Sequence, residues 1–116
     1  MLEAATGIAL LAMPSVAVSL LLGASLDTPG AVVVAHAAGA ALLSLGLACW
    51  LTRNGGQTRP GRAMIAAMLA YNIVVVAVLV HASLVLGLAG VGLWPAAGLH
   101  TALAIWCIAG LRAGTR

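Results

Sequence analysis

The stretch TRNGGQTRPG, residues 52–61, is the only strongly polar part of this chain. It carries two arginines, and apolar runs of more than twenty residues precede and follow it. The glycines and the proline within it are residues that end helices and form turns. The stretch therefore predicts a polar loop that joins two long apolar helices.

The composition indicates which solvent surrounds these helices. Of 116 residues, 64% are hydrophobic and 6% are charged, whereas a soluble domain carries about 25% charged residues. So few ionic groups cannot cover a globule in water, and the lipid bilayer suits such a chain better. The net charge of +3 comes from arginine without lysine, and aromatic residues are rare. We therefore expect contact with lipid headgroups and no nucleic-acid binding.

Four segments have the roughly 20 apolar residues that a helix needs to cross the hydrocarbon core. The breaks GASLDTPG, TRNGGQTRPG and GLAGVG separate them. The sequence thus predicts an all-α membrane protein, a single transmembrane domain over residues 1–116 with four helices in an up-down-up-down bundle. The predicted spans are residues 4–23, 30–51, 63–86 and 93–111.

The charges predict the orientation of this bundle. All the arginines fall at one end of it, in or beside the second loop or after the fourth span, and Asp27 falls at the other end. Because cytoplasmic loops carry an excess of arginine, we expect both termini in the cytoplasm of a bacterial inner membrane. Residues 1–3 lack a basic segment, so we expect no cleaved signal peptide. The arginines are Arg53, Arg59, Arg62, Arg112 and Arg116.

The predicted spans contain no Asp, Glu, Lys or Arg. Pumps and proton-coupled antiporters usually need an ionisable residue inside the membrane. The chain also has no phosphate-binding loop, no zinc-binding helix motif and no CxxC pair. We therefore expect a non-catalytic protein without a metal site.

The three histidines are predicted to lie at one depth. At 1.5 Å per residue, His36 and His100 lie about 9–10 Å below the outer ends of their spans, and His81 lies about 8 Å below. However, His81 follows Asn72 by nine positions, which places the two on opposite faces of a helix. Polar residues in membranes face inward, so His81 is expected to face lipid or a partner. A three-histidine metal cage conflicts with this phase.

His36 and His100 are the more suitable pair of ligands. Their spans run in the same direction at diagonal positions of the bundle, about 12–14 Å apart. This separation suits a flat macrocycle, so both are candidate axial ligands of haem or a chlorophyll-type pigment, with His81 as a further candidate. The favoured alternative gives the histidines a structural role. The ladder of small residues for close helix packing is then Ala40, Ser44 and Ala48.

Pro14 interrupts the predicted first span. Because proline lacks an N–H, it frees the carbonyl of Leu10, and Ser15 follows directly. Asn72 and Tyr71 lie at similar depth in the third span. We expect them to help satisfy this break, since unpaired backbone groups are costly in lipid. A broken helix can also mark a transport path.

The remaining notable side chains are expected to anchor or pack. Cys49 and Cys107 are expected to be small side chains without a disulfide, because the cytoplasm is reducing. Tryptophans are predicted to anchor the span ends. At the outer end, His81 and Trp94 are predicted to form a contact surface for a partner.

The stretches TGIALLAMPS, GLACWL, MLAYN and LWPAAGLH carry a resemblance over most of the chain. They resemble a group of small, four-helix bacterial inner-membrane proteins of unassigned function. The resemblance implies the same topology and assigns no functional residue.

Three functions are compatible with the sequence. The first is an accessory or structural subunit of a larger membrane assembly, such as a respiratory or photosynthetic complex, or a homo-oligomer. The second is a cofactor carrier that holds a tetrapyrrole through His36 and His100. The third is a small channel or transporter that uses the level of Pro14 and Asn72.

Overall fold

The computed structural model describes residues 2–55 and 58–113 and shows five helices and no strand among them. The helices are α1 Leu2–Ala12, α2 Pro14–Leu22, α3 Pro29–Leu51, α4 Arg59–Leu84 and α5 Leu93–Ala113. By length and hydropathy, α3, α4 and α5 are each able to span a membrane. The prediction of an all-helical chain with helices able to span a membrane is confirmed for the described residues, with three such helices, or four if α1 and α2 count as one span.

The chain divides into two compact units. The N-terminal unit consists of Met1–Leu51 and Leu88–Gly92, and so contains α1, α2 and α3. The C-terminal unit consists of Thr52–Gly87 and Leu93–Arg116, and contains α4 and α5.

Two threonines set the starts of the long helices. The hydroxyl of Thr58 accepts a hydrogen bond from the Gly61 N–H at 3.2 Å, and Pro60 occupies the first turn of α4. This pairing of cap and proline starts α4 at Arg59, four residues before the predicted boundary, because polar residues extend the helix beyond its apolar part. Thr28 caps α3 in the same way, accepting from the Ala31 N–H at 3.2 Å.

The predicted first span over residues 4–23 is divided into two helices at the predicted Pro14 interruption. The chain leaves the helical conformation at Met13 (φ −143°, ψ 63°), and α1 and α2 are bent by 120° at this break. The physical reason is Pro14, whose ring disfavours the helical region for the residue before it. Helices of 11 and 9 residues at this angle span only about 15 Å from end to end, half of the hydrocarbon core.

Glycines bring α1 and α3 into backbone contact. A Cβ atom on Gly7 would lie 2.7 Å from the Gly39 carbonyl oxygen, and a Cβ atom on Gly46 would lie 2.8 Å from the Ala4 Cβ. The order of these contacts shows that α1 runs antiparallel to α3. Ala4 meets Gly46 near the C-terminal end of α3, and Gly7 meets Gly39 near the middle of α3. The contact face of α3 is Ala35, Gly39 and Gly46, and differs from the predicted ladder of Ala40, Ser44 and Ala48, of which Ala40 and Ser44 are exposed.

The segment Leu88–Gly92 packs against the end of α2. The Gly92 N–H donates to the Leu20 carbonyl at 2.8 Å. A Cβ atom on Gly90 would overlap the Leu21 backbone, so only glycine fits at this position. At the same place, Gly23 ends α2 with φ 67°, a left-handed conformation that favours glycine.

In the C-terminal unit, α4 and α5 pack as an antiparallel hairpin. The buried positions of α4 follow a helical period, and they meet small residues of α5. At one end, the Arg62 Nη1 donates to the Leu111 carbonyl at 3.2 Å and so caps the last turn of α5. The buried residues are Gly61, Asn72, Leu79 and Ala82 on α4, and Leu93, Ala97 and Ala104 on α5.

We predict that Gly7→Ala destabilises the protein by about 1–3 kcal/mol, because its methyl group must push the α3 backbone away. Gly98→Ala is the matched control, since nothing lies within 4 Å of a Cβ atom there. Alanine at Gly98 is expected to raise stability by up to about 1 kcal/mol through helix propensity. The measurement is Tm by circular dichroism in one detergent. Equal Tm for Gly7→Ala and wild type would contradict the close packing.

Candidate functional site

Asn72 is the most deeply buried polar side chain among the described residues, at 0% exposure. Its Nδ2 donates to the Met68 carbonyl of the same helix at 2.7 Å. Its Oδ1 lies 2.7 Å from His100 Nδ1, on α5. Both ends of the amide are therefore engaged within the C-terminal unit, and one of the two bonds crosses between helices.

The hydrogen bond to Met68 determines which atom donates and which accepts in the bond between Asn72 and His100. Because Nδ2 of Asn72 must face a carbonyl oxygen, Oδ1 is the atom that faces His100. An amide oxygen only accepts, so Nδ1 of His100 donates the hydrogen. A neutral imidazole with hydrogen on Nδ1 carries its lone pair on Nε2. Asn72 thus selects the tautomer and the ring orientation of His100.

Tyr71 completes the cluster from the side. Its ring and the His100 ring are 5.7 Å apart at an interplanar angle of 76°, an edge-to-face arrangement. Such contacts contribute about 0.5–1.5 kcal/mol beyond the area that they bury. Tyr71 and Asn72 are neighbours on α4, so the two together hold the imidazole by its edge and its face.

This cluster functions as an interhelical hydrogen bond in an apolar environment. No group of three His, Cys, Asp or Glu residues that could hold a metal ion occurs within residues 2–55 and 58–113. The groups that these contacts bring together are an amide, an imidazole and a phenol ring. The arrangement positions one histidine and joins α4 to α5.

His81 lies elsewhere on α4. It is exposed, whereas Asn72 is fully buried, as their nine-residue spacing requires. Nine residues of helix also separate them by about 14 Å along the axis. Because His100 contacts Asn72, the expectation that His81 and His100 share one level is wrong.

The reason is the unequal position of the two helix ends at the hairpin. Twelve residues of α4 follow Asn72, but only seven residues of α5 precede His100. Since the two side chains are in contact, α4 extends about 8 Å beyond the start of α5. Counting depth from the predicted span ends assumed that both helices begin at one level.

His36 lies on α3, in the N-terminal unit, and its side chain is half-buried. The pairing of His36 with His100 across a macrocycle stays a prediction. The small residues around His36 include Ala35 and Gly39, which form the contact with α1.

The Pro14 break has its own partners in the structure. The Met13 N–H donates to the Ala9 carbonyl at 2.8 Å, and the Met13 carbonyl accepts from Ala17 at 3.1 Å. The hydrogen bonds described for Asn72 go to Met68 and His100 instead of to this break, which differs from expectation. Ser15, in the first turn of α2, is exposed.

The predicted contact and anchoring residues lie near helix ends. Trp94 is 56% exposed in the first turn of α5, Trp50 is 47% exposed near the end of α3, and Trp106 is 80% exposed on the outer surface of α5. Cys49 and Cys107 are half-buried thiols. Arg116 lies outside the described residues.

Sequence reasoning placed Asn72 inward but did not find its partner. Contacts across this hairpin join positions whose numbers add to a nearly constant sum, as for Arg62 with Leu111 and Asn72 with His100. The predicted span ends, residues 86 and 93, give a larger sum and would not have paired Asn72 with His100. No sequence signal therefore identified this partner, because the axial register of the two helices comes from their packing.

No family model, curated protein or solved structure matches this chain.

We predict that Asn72→Leu lowers stability by about 1–3 kcal/mol, because it removes the acceptor of the buried His100 N–H. In a double-mutant cycle with His100→Leu, the coupling energy is expected to be about 0.6–1.7 kcal/mol, the range for bonds between membrane helices. The measurement is equilibrium unfolding in mixed micelles.

His81→Leu is the control for this cycle, since His81 is exposed on the opposite face of α4. It is expected to change stability by less than about 0.5 kcal/mol. A coupling energy near zero between Asn72 and His100 would contradict a stabilising hydrogen bond between them.

Proposed function

We propose that the chain is a non-catalytic accessory subunit of a bacterial inner-membrane assembly, and that it acts by packing its helices against those of another chain. The partner is a larger membrane complex, such as an energy-converting one, or further copies of the same chain. One feature of α5 carries this proposal, and the engaged state of the polar cluster supports it.

The carrying observation is a shallow groove on the outer surface of α5. It has a volume of about 480 Å³ and is formed by small residues beside Trp106. Small side chains let a second helix approach closely, which is how helices associate in lipid. An exposed tryptophan beside such a groove offers a large apolar surface to that helix. The lining residues are Ala102, Ile105, Trp106, Ala109, Gly110 and Ala113.

The polar cluster of Asn72, His100 and Tyr71 supports a structural function rather than a catalytic one. The Asn72 amide is hydrogen-bonded to Met68 and His100, and His100 is held in one orientation. A buried polar pair of this kind fixes how two helices are paired. It gives the α4–α5 hairpin one defined surface to present to a partner.

The arginines support the proposed orientation with both termini in the cytoplasm. Arg53 follows α3, Arg59 and Arg62 lie in the first turn of α4, and Arg112 lies in the last turn of α5. In the N-terminal unit, Ala4 packs on Gly46, so α1 begins at the same end of α3 as Arg53. The positive-inside rule assigns this end to the cytoplasm.

A second contact surface is proposed at the other end of the helices. His81 and Trp94 are both exposed there, and the neighbouring face of α4 is apolar. A protonatable ring in an apolar setting gains from a hydrogen-bonding partner. His81 therefore contributes specificity if a partner helix covers this face.

We predict that Ala109→Leu fills the α5 groove and reduces the fraction of the chain found in complexes at least five-fold. Leucine removes the concave surface on which close helix packing depends. Ala70→Leu, an exposed alanine of α4 outside the groove, is the matched control and is expected to leave the fraction unchanged. Native mass spectrometry of gently extracted protein measures the complexes.

Two outcomes count against the accessory function. One is a wild-type chain that is monomeric under extraction conditions that preserve other membrane complexes. The other is equal complex formation by Ala109→Leu and Ala70→Leu, which would move the contact away from the groove.

The hydrogen bond on His100 Nδ1 favours a second candidate function, that of tetrapyrrole carrier. Histidine ligands almost always donate their second nitrogen to an oxygen acceptor, which orients the ligating nitrogen. Asn72 Oδ1 is such an acceptor. His36 is the proposed second ligand.

We predict for this candidate that the native protein shows a Soret-type or near-infrared absorption band, and that His100→Leu abolishes it. Asn72→Leu is expected to shift or weaken the band, because the ligand loses its orientation. His81→Leu is the control and leaves the spectrum unchanged. A spectrum without such bands, from protein extracted under conditions that retain haem or pigment, excludes the carrier.

A further inference from the structure

The end of α1 lies well inside the membrane, if α3 crosses it as proposed. Leu10 and Leu11 of α1 reach the position of Gly39, where a Cβ atom would lie 3.0–3.1 Å from their side chains. Gly39 follows Pro29, the first residue of α3, by ten positions, which is about 15 Å of helix. Extending α1 to Met13 leaves the break about 10 Å below the outer end of α3.

Beyond the Met13 break, the chain does not continue toward the outer end of α3 as a helix. Because α2 is bent by 120° from α1, it falls back by about half its length, or about 7 Å along the α1 axis. Residues 23–28 must therefore make up the whole remaining distance to Pro29. Six extended residues reach about 20 Å, which is enough.

The middle of this connecting segment has unpaired backbone N–H groups. Among the described residues, no hydrogen bond uses the N–H of Ala24, Ser25, Leu26 or Asp27. Gly23 packs against Gly90, but the chain covers the rest of the segment only in part, because Ser25 and Asp27 are exposed and Ala24 and Leu26 are half-buried. The Ser25 hydroxyl donates to Asp27 Oδ2 at 2.7 Å, which adds a polar side-chain pair.

Such a segment is incompatible with hydrocarbon. Each unsatisfied backbone group costs several kcal/mol in the bilayer core, and irregular backbone is tolerated there only where protein buries it or water reaches it. The bend adds further polar groups at the deep end, because Pro14 leaves the Leu10 carbonyl without its helical donor. The first turn of α2 has N–H groups without intrahelical acceptors.

We propose that the N-terminal unit holds a water-filled recess that opens on the Asp27 side, passes the Met13 break about 10 Å into the membrane, and ends about 7 Å deeper, where residues 23–28 begin. Residues 23–28 and the first turn of α2 line it. The recess rests on the membrane placement of α3 and is independent of whether the chain is an accessory subunit. Water in the recess satisfies the backbone of the connecting segment, which makes the first crossing half helix and half hydrated, non-helical chain.

Cysteine accessibility tests this recess. In a Cys49→Ser/Cys107→Ser background, Ser15→Cys and Ser25→Cys replace exposed hydroxyls by thiols of similar size, beside the Met13 break and along the connecting segment. A membrane-impermeant maleimide is applied to spheroplasts. Both thiols are expected to react within about ten-fold of the rate of Thr28→Cys, because water reaches them.

Ala37→Cys is the matched control. It is exposed on α3 at about the depth of the break, on the face opposite the one that contacts α1. It faces lipid, so we expect it to react at least a hundred-fold more slowly than Ser25→Cys. Asn54→Cys, in the arginine-bearing loop, reports the other side of the membrane and is expected to react only after permeabilisation.

The outcomes separate the recess from the topology. Equal rates for Ala37→Cys and Ser15→Cys overturn the recess, because water then reaches that depth all around the protein. Slow reaction of Ser15→Cys and Ser25→Cys beside fast Thr28→Cys also overturns it, including the case in which a partner covers the bend. Reaction of Asn54→Cys from outside and of Thr28→Cys only after permeabilisation inverts the topology. In that case, the same reaction rates are compared with the maleimide applied from the inner side of the membrane, and this comparison tests the recess.

Discussion

Hydrocarbon offers no hydrogen-bond partners, so each polar group of this chain must find one within the protein or lie where water reaches it. The α4–α5 hairpin meets this requirement internally. Asn72, at 0% exposure, forms hydrogen bonds through its amide to Met68 and to His100. At the helix end, Arg62 satisfies the Leu111 carbonyl, and Thr58 satisfies the Gly61 N–H. Polar groups are few here, and they lie where a second helix or a helix terminus needs them.

The N-terminal unit meets the same requirement differently. Gly7, Gly39 and Gly46 bring α1 and α3 into backbone contact, which gains dispersion energy where no hydrophobic effect drives association. This close contact holds α1 at a fixed depth. Pro14 then ends α1 at Met13, and α2 is bent by 120° from it. In the proposed first crossing, a tightly packed helix is therefore followed by irregular backbone, because a single proline follows the glycine contact.

Assembly is the function that we propose for this chain. His100 takes part in an interhelical hydrogen bond, and α5 carries a groove of small residues beside the exposed Trp106. The tetrapyrrole alternative uses the same histidine in the same tautomer, so the two functions differ in what lies on the other side of the ring. The exposed His81 lies outside both the α5 groove and the polar cluster, and with Trp94 it forms the second proposed contact surface.

The sequence alone determined the properties that depend on composition and rotation. Low charge and long apolar runs predicted membrane-spanning helices, Pro14 predicted an interruption, and the nine-residue spacing predicted that Asn72 and His81 lie on opposite faces. Tertiary structure alone decided the size of the bend, the glycine register between α1 and α3, and the pairing of Asn72 with His100. Helical period fixes the angle at which a side chain points, but it carries no information about how far one helix slides along another. That axial shift comes from packing between helices, and it decided which polar groups meet.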